Sequence, residues 1–214
     1  MTAVSELLII GCGGHSRFLL GLIRESLFNA YGIIDLGKDW DNSETIMGVS
    51  VIGCLNSIDE QYSLNYRDVV LGIGDNCFRE ATFNDLKGMG FKFPNLIHST
   101  AVIDCSANLG VGNVIGPKVV IGAEVSVGDN NIINSGAIVE HQTSIGNHNH
   151  VSLSATICGN VSVGSRVFLG ANSTVIEKIT VSDDTTLGAG GTLISSTKTD
   201  GLTLVGCPAR EKIR

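Results

Sequence analysis

Apolar residues recur along this chain with two different periods, and the change from one to the other falls near residue 97. Up to that point short apolar runs alternate with amphipathic stretches. Leu7–Ile10 reads as a strand, Arg17–Ser26 carries Phe18, Leu19, Leu22 and Ile23 at helical spacing, and Tyr31–Ile34 reads as a second strand ending at Asp35. Looser repeats of the pattern predict a strand near Val49–Ile52, a helix from about Ser57, a strand Val69–Ile73, a helix Phe78–Lys87 and a last strand Lys92–Leu96. Strand and helix in alternation predict a parallel sheet with crossover helices.

From Ile103 every sixth residue is aliphatic: Ile103, Leu109, Ile115, Ile121, Val127, Ile133, Val139, Ile145, Val151, Ile157, Val163, Leu169, Val175, Val181, Leu187 and Leu193. The next position is glycine at 110, 116, 122, 128, 146, 164, 170 and 188, and the position four after the aliphatic is mostly small or β-branched. A period of six cannot wrap a helix but fits a short flat strand plus a corner. Three such strands close a triangular coil of eighteen residues, so residues eighteen apart stack and one aliphatic per face points inward. Residues 101–194 supply about five coils, and Thr199–Arg214 is expected to leave the prism as a closing segment. The division expected is an α/β domain over 1–98 and a parallel β-helix with its tail over 99–214.

Composition agrees with a narrow prism. Glycine supplies 27 of 214 residues, twice its average share of about 7%, whereas aromatic residues make up only 5% and charged residues 16%. Normal hydrophobicity argues against disorder, and 3 prolines exclude collagen. A net charge of −7 speaks against nucleic acid. There is no apolar run long enough to span a membrane, and the start MTAVSELLIIGCGG lacks the basic region of a signal peptide. Six scattered cysteines without a CxxC pair fit thiols in a reducing cytoplasm.

The motifs IIGCGGHS at 9–16, Asp35, GIGDNCFR at 72–79, NSGAIVEH at 134–141, SIGNHNHVSLSATICGNVSVG at 144–164 and VGCPAR at 205–210 carry a resemblance over nearly the whole chain. The chain resembles the bacterial nucleotide-sugar N-acetyltransferases, grouped with the sialic-acid O-acetyltransferases among the hexapeptide-repeat acyltransferases. That resemblance implies a Rossmann-like N-terminal domain, a left-handed β-helix, acetyl-CoA as co-substrate with no metal, and a cytoplasmic homotrimer with active sites at subunit interfaces. It further implies a nucleotide-sugar substrate, a UDP-linked 4-amino-4,6-dideoxysugar destined for a surface glycan, with neither nucleic-acid nor membrane partners.

The resemblance assigns the roles as well. His141 matches the general base that takes a proton from the acceptor amine, a task suited to imidazole. Asn134 and His150 match residues lining the acetyl-CoA site, with His150 on the thioester carbonyl, and Gly159 offers a backbone contact. By its phase His141 faces outward at a corner, with Glu140 and Gln142 beside it, and Gly159, eighteen residues on, is expected to leave open space above it for a ligand. The family follows its histidine with Asp or Glu; Gln142 stands here and cannot stabilise an imidazolium as an anion does, so either Glu140 takes over or His141 is a weaker base than in the family. His148, stacked on Asn130 and Arg166, is expected to be a solvated corner residue.

In the first half, the turn Gly11–Ser16 follows a strand and opens a helix, so its amides can hold phosphate. Asp35 stands where an acid meets a ribose or base, and Gly74 ends a strand on the same sheet edge. Gly13, Gly14, His15, Asp35, Leu36 and Gly74 are the family-matched nucleotide-sugar contacts. Ser16 replaces the third glycine of the dinucleotide fingerprint, which disfavours NAD. The competing readings are O-acetylation of a sialic-acid-like sugar and a non-catalytic scaffold; a γ-type carbonic anhydrase lacks its three widely spaced metal histidines.

Overall fold

The computed structural model describes residues 5–37, 44–58 and 67–212 and divides into two units, Met1–Leu96 and Ile97–Arg214. The first unit contains β1 (Ser5–Ile10), α1 (Gly14–Arg24), β2 (Phe28–Asp35), β3 (Thr45–Ile46), β4 (Val49–Cys54), β5 (Asp68–Leu71) and α2 (Asn76–Gly88). The sheet order is β3-β4-β2-β1-β5, with β1, β2, β4 and β5 parallel and β3 antiparallel to β4. The chain moves from β1 to one side and returns to add β5 on the other. This reversal opens a crevice at the carboxyl ends of β1 and β5, the place where open α/β sheets bind ligands.

The apolar runs expected to form strands are buried. Leu8, Ile10, Ile34, Val69 and Leu71 share a core with Phe83, Leu86, Phe91 and Phe93, and the Phe83 and Phe93 rings stand 4.2 Å apart. α1 buries Leu19, Leu20, Leu22 and Ile23 on its apolar stripe, and Asp75 caps α2 by accepting from Phe78 N at 2.8 Å. Two points depart from the sequence reading, and a third lies mostly outside the described residues. β3 was missed because its two residues carry no period; it forms a hairpin with β4 across Met47 and Gly48, both at positive φ. In place of one strand over 92–96, the structure has an isolated bridge from Lys92 to Asp68 and a two-residue strand at Leu96–Ile97 that joins the first face of the second unit's sheets. Around Ser57 lies a 3-10 turn, Leu55–Ser57, and the rest of the helix expected there falls at 59–66, outside the described residues.

The second unit is a parallel β-solenoid. Its two-residue strands stack eighteen apart on three faces. The first carries Val114–Ile115, Ile132–Ile133, His150–Val151 and Phe168–Leu169; the second carries Val120–Ile121, Ile138–Val139, Thr156–Ile157 and Thr174–Val175; the third carries Ser126–Val127, Ser144–Ile145 and Ser162–Val163. The six-residue aliphatic series lines the interior, from Ile115 to Leu193, almost entirely excluded from water. At the corners the backbone takes positive φ every sixth residue, at Lys118, Glu124, Asn130, Gln142, His148, Ser154, Asn160, Arg166, Asn172, Lys178 and Asp184. Such residues are costly for L side chains, and each corner needs its own compensation.

One corner supplies that compensation with side chains. Asn113, Asn131 and Asn149 are fully buried and stack as a ladder: Asn131 N donates to Asn113 Oδ1 at 2.9 Å, Asn149 N to Asn131 Oδ1 at 2.8 Å, and Val167 N to Asn149 Oδ1 at 2.6 Å. Outside the same corner a second ladder satisfies the preceding amides, with Val111 N on Asp129, Asp129 N on Asn147, Asn147 N on Ser165 and Ser165 N on Asp183. This outer ladder explains the glycines. A Cβ on Gly110, Gly128, Gly146 or Gly164 would collide with the accepting oxygen of the next coil.

The tail stays on the prism, contrary to expectation. Thr203–Val205 adds a strand beside Thr186–Leu187 and turns back through Arg210–Glu211, while Leu204 and Ala209 join the core and close the open end. A solenoid end left bare would expose unpaired edges, which is why the chain covers it.

Candidate active site

The glycine-rich crevice is built by close backbone approach. Gly11 (φ 108) donates its N–H to Ile34 O, Gly72 donates to Ile10 O, and a Cβ on Gly11 would lie 3.0 Å from Gly72 O. Ser16 is fully buried here; its hydroxyl donates to Gly11 O at 2.6 Å, and a Cβ on Gly72 would strike it. Ser16 therefore knits the two loops together. Gly13, Gly14 and Gly74 have open space where a Cβ would be. Gly13 precedes α1, whose first turn carries no acidic residue, so helix amides and dipole face the opening.

Charged groups surround this opening. Arg17 donates to Cys12 O and Gly13 O, each at 3.2 Å, which sets a cation beside the turn. Asp35 Oδ1 accepts from Cys12 Sγ at 2.9 Å and from Gly37 N at 3.1 Å. The thiol bond, followed by the amide, holds the Asp35 carboxyl below its usual range; burial and then Asp35 push the Cys12 thiol up to about 11. Asp35 is thus an anion and Cys12 a protonated donor at neutral pH. His15 is half-buried against the Phe18 ring, 5.5 Å away, and Leu36 is half-buried next to Asp35. Arg79 carried no sequence signal beyond its place in GIGDNCFR. It is 1% exposed, donates to Ile73 O, Gly74 O and Asn76 Oδ1, and so fixes the loop carrying Gly74. Burial lowers its guanidinium to about 10, still protonated at neutral pH.

On the prism, His141 is exposed at the corner between the second and third faces. The floor expected to lie open above it is occupied by its own ring: a Cβ on Gly159 would sit 2.6 Å from both Cε1 and Nε2 of His141. Glycine at 159 therefore sets the tilt of the imidazole instead of clearing space for a ligand. Gly159→Ala is expected to lower kcat about tenfold while leaving the melting temperature within a few degrees of wild type, because the ring must swing outward; unchanged kcat would show that its tilt is irrelevant. Glu140 points an oxygen back at His141 N, 3.4 Å away. Gln142 is the left-handed corner residue, φ 57, and donates its N–H to Ala123 O.

Asn134 and His150 lie elsewhere on the prism. Asn134 follows the first-face strand Ile132–Ile133 and accepts from Ser135 N at 2.8 Å, and His150 sits on that same face, half-buried and edge-on to Phe168 at 5.2 Å. His141 stands at the corner opposite the first face. The three residues, close in sequence, are thus not gathered into one cluster by a single chain. His148 is buried, 7% exposed, with Nδ1 2.9 Å from Asn130 Nδ2, because the corner column packs it between coils; the solvated state expected for it is corrected. Among the described residues there is no group of three His, Cys, Asp or Glu that could hold a metal ion, and no helix is long and apolar enough to cross a membrane.

Comparison with known proteins follows the same division. Residues 6–86 match the model of the PglD N-terminal domain. A GDP-perosamine N-acetyltransferase from Caulobacter crescentus, solved as an H141A mutant with CoA and GDP-perosamine, is 32% identical over 99% of each chain with a TM-score of 0.92. The acetyltransferase domain of PglB from Neisseria gonorrhoeae, in complex with acetyl coenzyme A, is 29% identical over 97% of this chain and 98% of that one, with a TM-score of 0.85. WeeI from Acinetobacter baumannii shares the fold at 20% identity, covering 97% of this chain and 100% of that one, with a TM-score of 0.84. A search of curated protein sequences gave no match.

Proposed function

The chain belongs to the hexapeptide-repeat nucleotide-sugar acetyltransferases, and from that premise we propose that it moves the acetyl group of acetyl-CoA onto the amine of a nucleotide-linked 4-amino-4,6-dideoxysugar. The observation that carries this reading is the outward imidazole of His141 seated on Gly159, in a chain whose full-length relative was solved with CoA and an amino sugar bound. That relative was also studied as H141A and H141N mutants, which supports a working role for a histidine numbered as here.

The step reads as follows. The amine nitrogen attacks the thioester carbonyl, His141 takes the proton that the nitrogen loses, and collapse of the tetrahedral intermediate breaks the C–S bond, with the proton passing to the departing thiolate. His150 and Asn134 hold the thioester end of the cofactor, with Gly159 contributing backbone; Glu140 and Gln142 flank the base. Because His141 stands opposite the face of Asn134 and His150, the site is complete only when a neighbouring copy brings that face to this corner, which supports a homotrimer with shared active sites. Gly13, Gly14 and His15 receive the diphosphate, and Asp35, Leu36 and Gly74 the nucleoside. Acetyl-CoA as co-substrate favours the cytoplasm.

The test is thiol release from acetyl-CoA with a panel of UDP-, dTDP- and GDP-linked amino sugars. Release that depends on one of these sugars is expected. Release only with a sialic-acid-like hydroxyl acceptor would move the reading to O-acetylation, and silence with amine and hydroxyl acceptors alike would move it to a scaffold.

A further inference from the structure

Of the residues Gly11, Cys12, Gly13 and Gly14 that lead from β1 into α1, only Cys12 carries a side chain. β1 and β2 run parallel with Ile10 beside Ile34, so the turn after β1 and the last residue of β2 meet at one edge of the sheet. Gly11 N donates to Ile34 O at 2.7 Å and closes the approach. There the Cys12 thiol donates to Asp35 Oδ1 at 2.9 Å, and the Gly37 amide donates to the same oxygen at 3.1 Å. Two donors on one oxygen fix the rotation of the carboxylate and leave Oδ2 to meet a donor on a bound molecule.

Resting on the reading above, in which Asp35 receives the nucleoside, we propose that Cys12 is a positioning residue for the nucleotide sugar: its thiol holds the Asp35 carboxylate in the orientation that accepts a hydroxyl or N–H of the nucleoside on Oδ2. Arg17 grips the Cys12 carbonyl at 3.2 Å, so the residue is tied through its backbone as well as its side chain. A thiol suits the task because it stays a donor. Burial, then Asp35 and Glu44, push it up to about 11, so at neutral pH it does not become a second anion facing the carboxylate. Its bond is also the largest cause of the lowered Asp35 carboxyl, ahead of the Gly37 amide.

The experiment is isothermal titration calorimetry of UDP, dTDP and GDP into wild type, Cys12→Ala, Cys12→Ser, Asp35→Ala and the double variant Cys12→Ala with Asp35→Ala. For the nucleotide that wild type binds most tightly, Cys12→Ala is expected to weaken binding about fivefold and to raise KM for the matching amino sugar by the same factor, with kcat and KM for acetyl-CoA unchanged. Cys12→Ser keeps a donor and should return binding to within about twofold of wild type. In the Asp35→Ala background, Cys12→Ala should cost nothing more, because it acts through the carboxylate. The 2′,3′-dideoxy form of the same nucleotide identifies the donor: a Cys12→Ala loss that vanishes with it supports a ribose hydroxyl, and one that persists supports the base. Wild-type affinity in Cys12→Ala, or an equal loss in the Asp35→Ala background, overturns the proposal and leaves the nucleotide reading of the crevice in place. Failure of all three nucleotides to bind wild type overturns that reading and the proposal with it. Coupled binding without acetyl transfer overturns the enzymatic reading alone.

Discussion

His141→Asn is expected to lower kcat by about a hundredfold to ten-thousandfold, the range for removing a general base, with little change in KM for acetyl-CoA. The side chain is exposed, and its contact is with a glycine, so its loss leaves no cavity and no orphaned buried group. Circular dichroism and the thermal midpoint should therefore match wild type, which separates a lost base from a lost fold. Turnover near wild type would sink the assignment. The asparagine variant is preferred to alanine because it keeps a polar group of similar reach at the corner.

Asn131→Ala is the substitution expected to cost the most stability without touching the site, about 3 kcal/mol. Its carboxamide oxygen is the acceptor for Asn149 N, and its own amide and Nδ2 donate to Asn113 Oδ1. Alanine would strand one buried N–H and leave space in the middle of the ladder. Apolar residues occupy the equivalent position at other corners at no such cost, since the chain meets the same need differently there. At one, Ala137 N and Ala155 N bond back to Asn134 O and Ser152 O within the turn; at another, Val161 N takes the Thr143 hydroxyl. Asn131→Val, although it copies Val119 and Val125 of the same phase, should thus destabilise as well. A drop in the denaturation midpoint of several degrees, with kcat of the folded fraction unchanged, is the expected result; a midpoint equal to wild type would show that water replaces the ladder.

The same ladder marks the boundary of what could be read in advance. Asn113, Asn131 and Asn149 sit at the phase where the neighbouring repeats carry Ala, Val or Thr, and a polar residue at an inward phase reads as an interruption. Only the stacking of coils, which brings each carboxamide under the next amide, turns it into a ladder. Arg79 was silent for a similar reason: a cation in an amphipathic helix reads as solvated, and burial under the Gly74 loop depends on where α2 lands. Ser16 was read through what it lacks as a glycine, whereas its hydroxyl bond to Gly11 is what it contributes.

By itself the sequence determined the period, and the period determined the prism: a side chain repeating every six residues can be buried only if every sixth position returns to the same axis. It also determined which residues face outward, including His141, because phase and direction are the same fact in a flat strand. Tertiary structure alone decided what those outward residues meet. It laid the imidazole on Gly159 and put Asn134 and His150 on the far face, since the period says which residues stack but not how a side chain leans between coils or what lies across the prism.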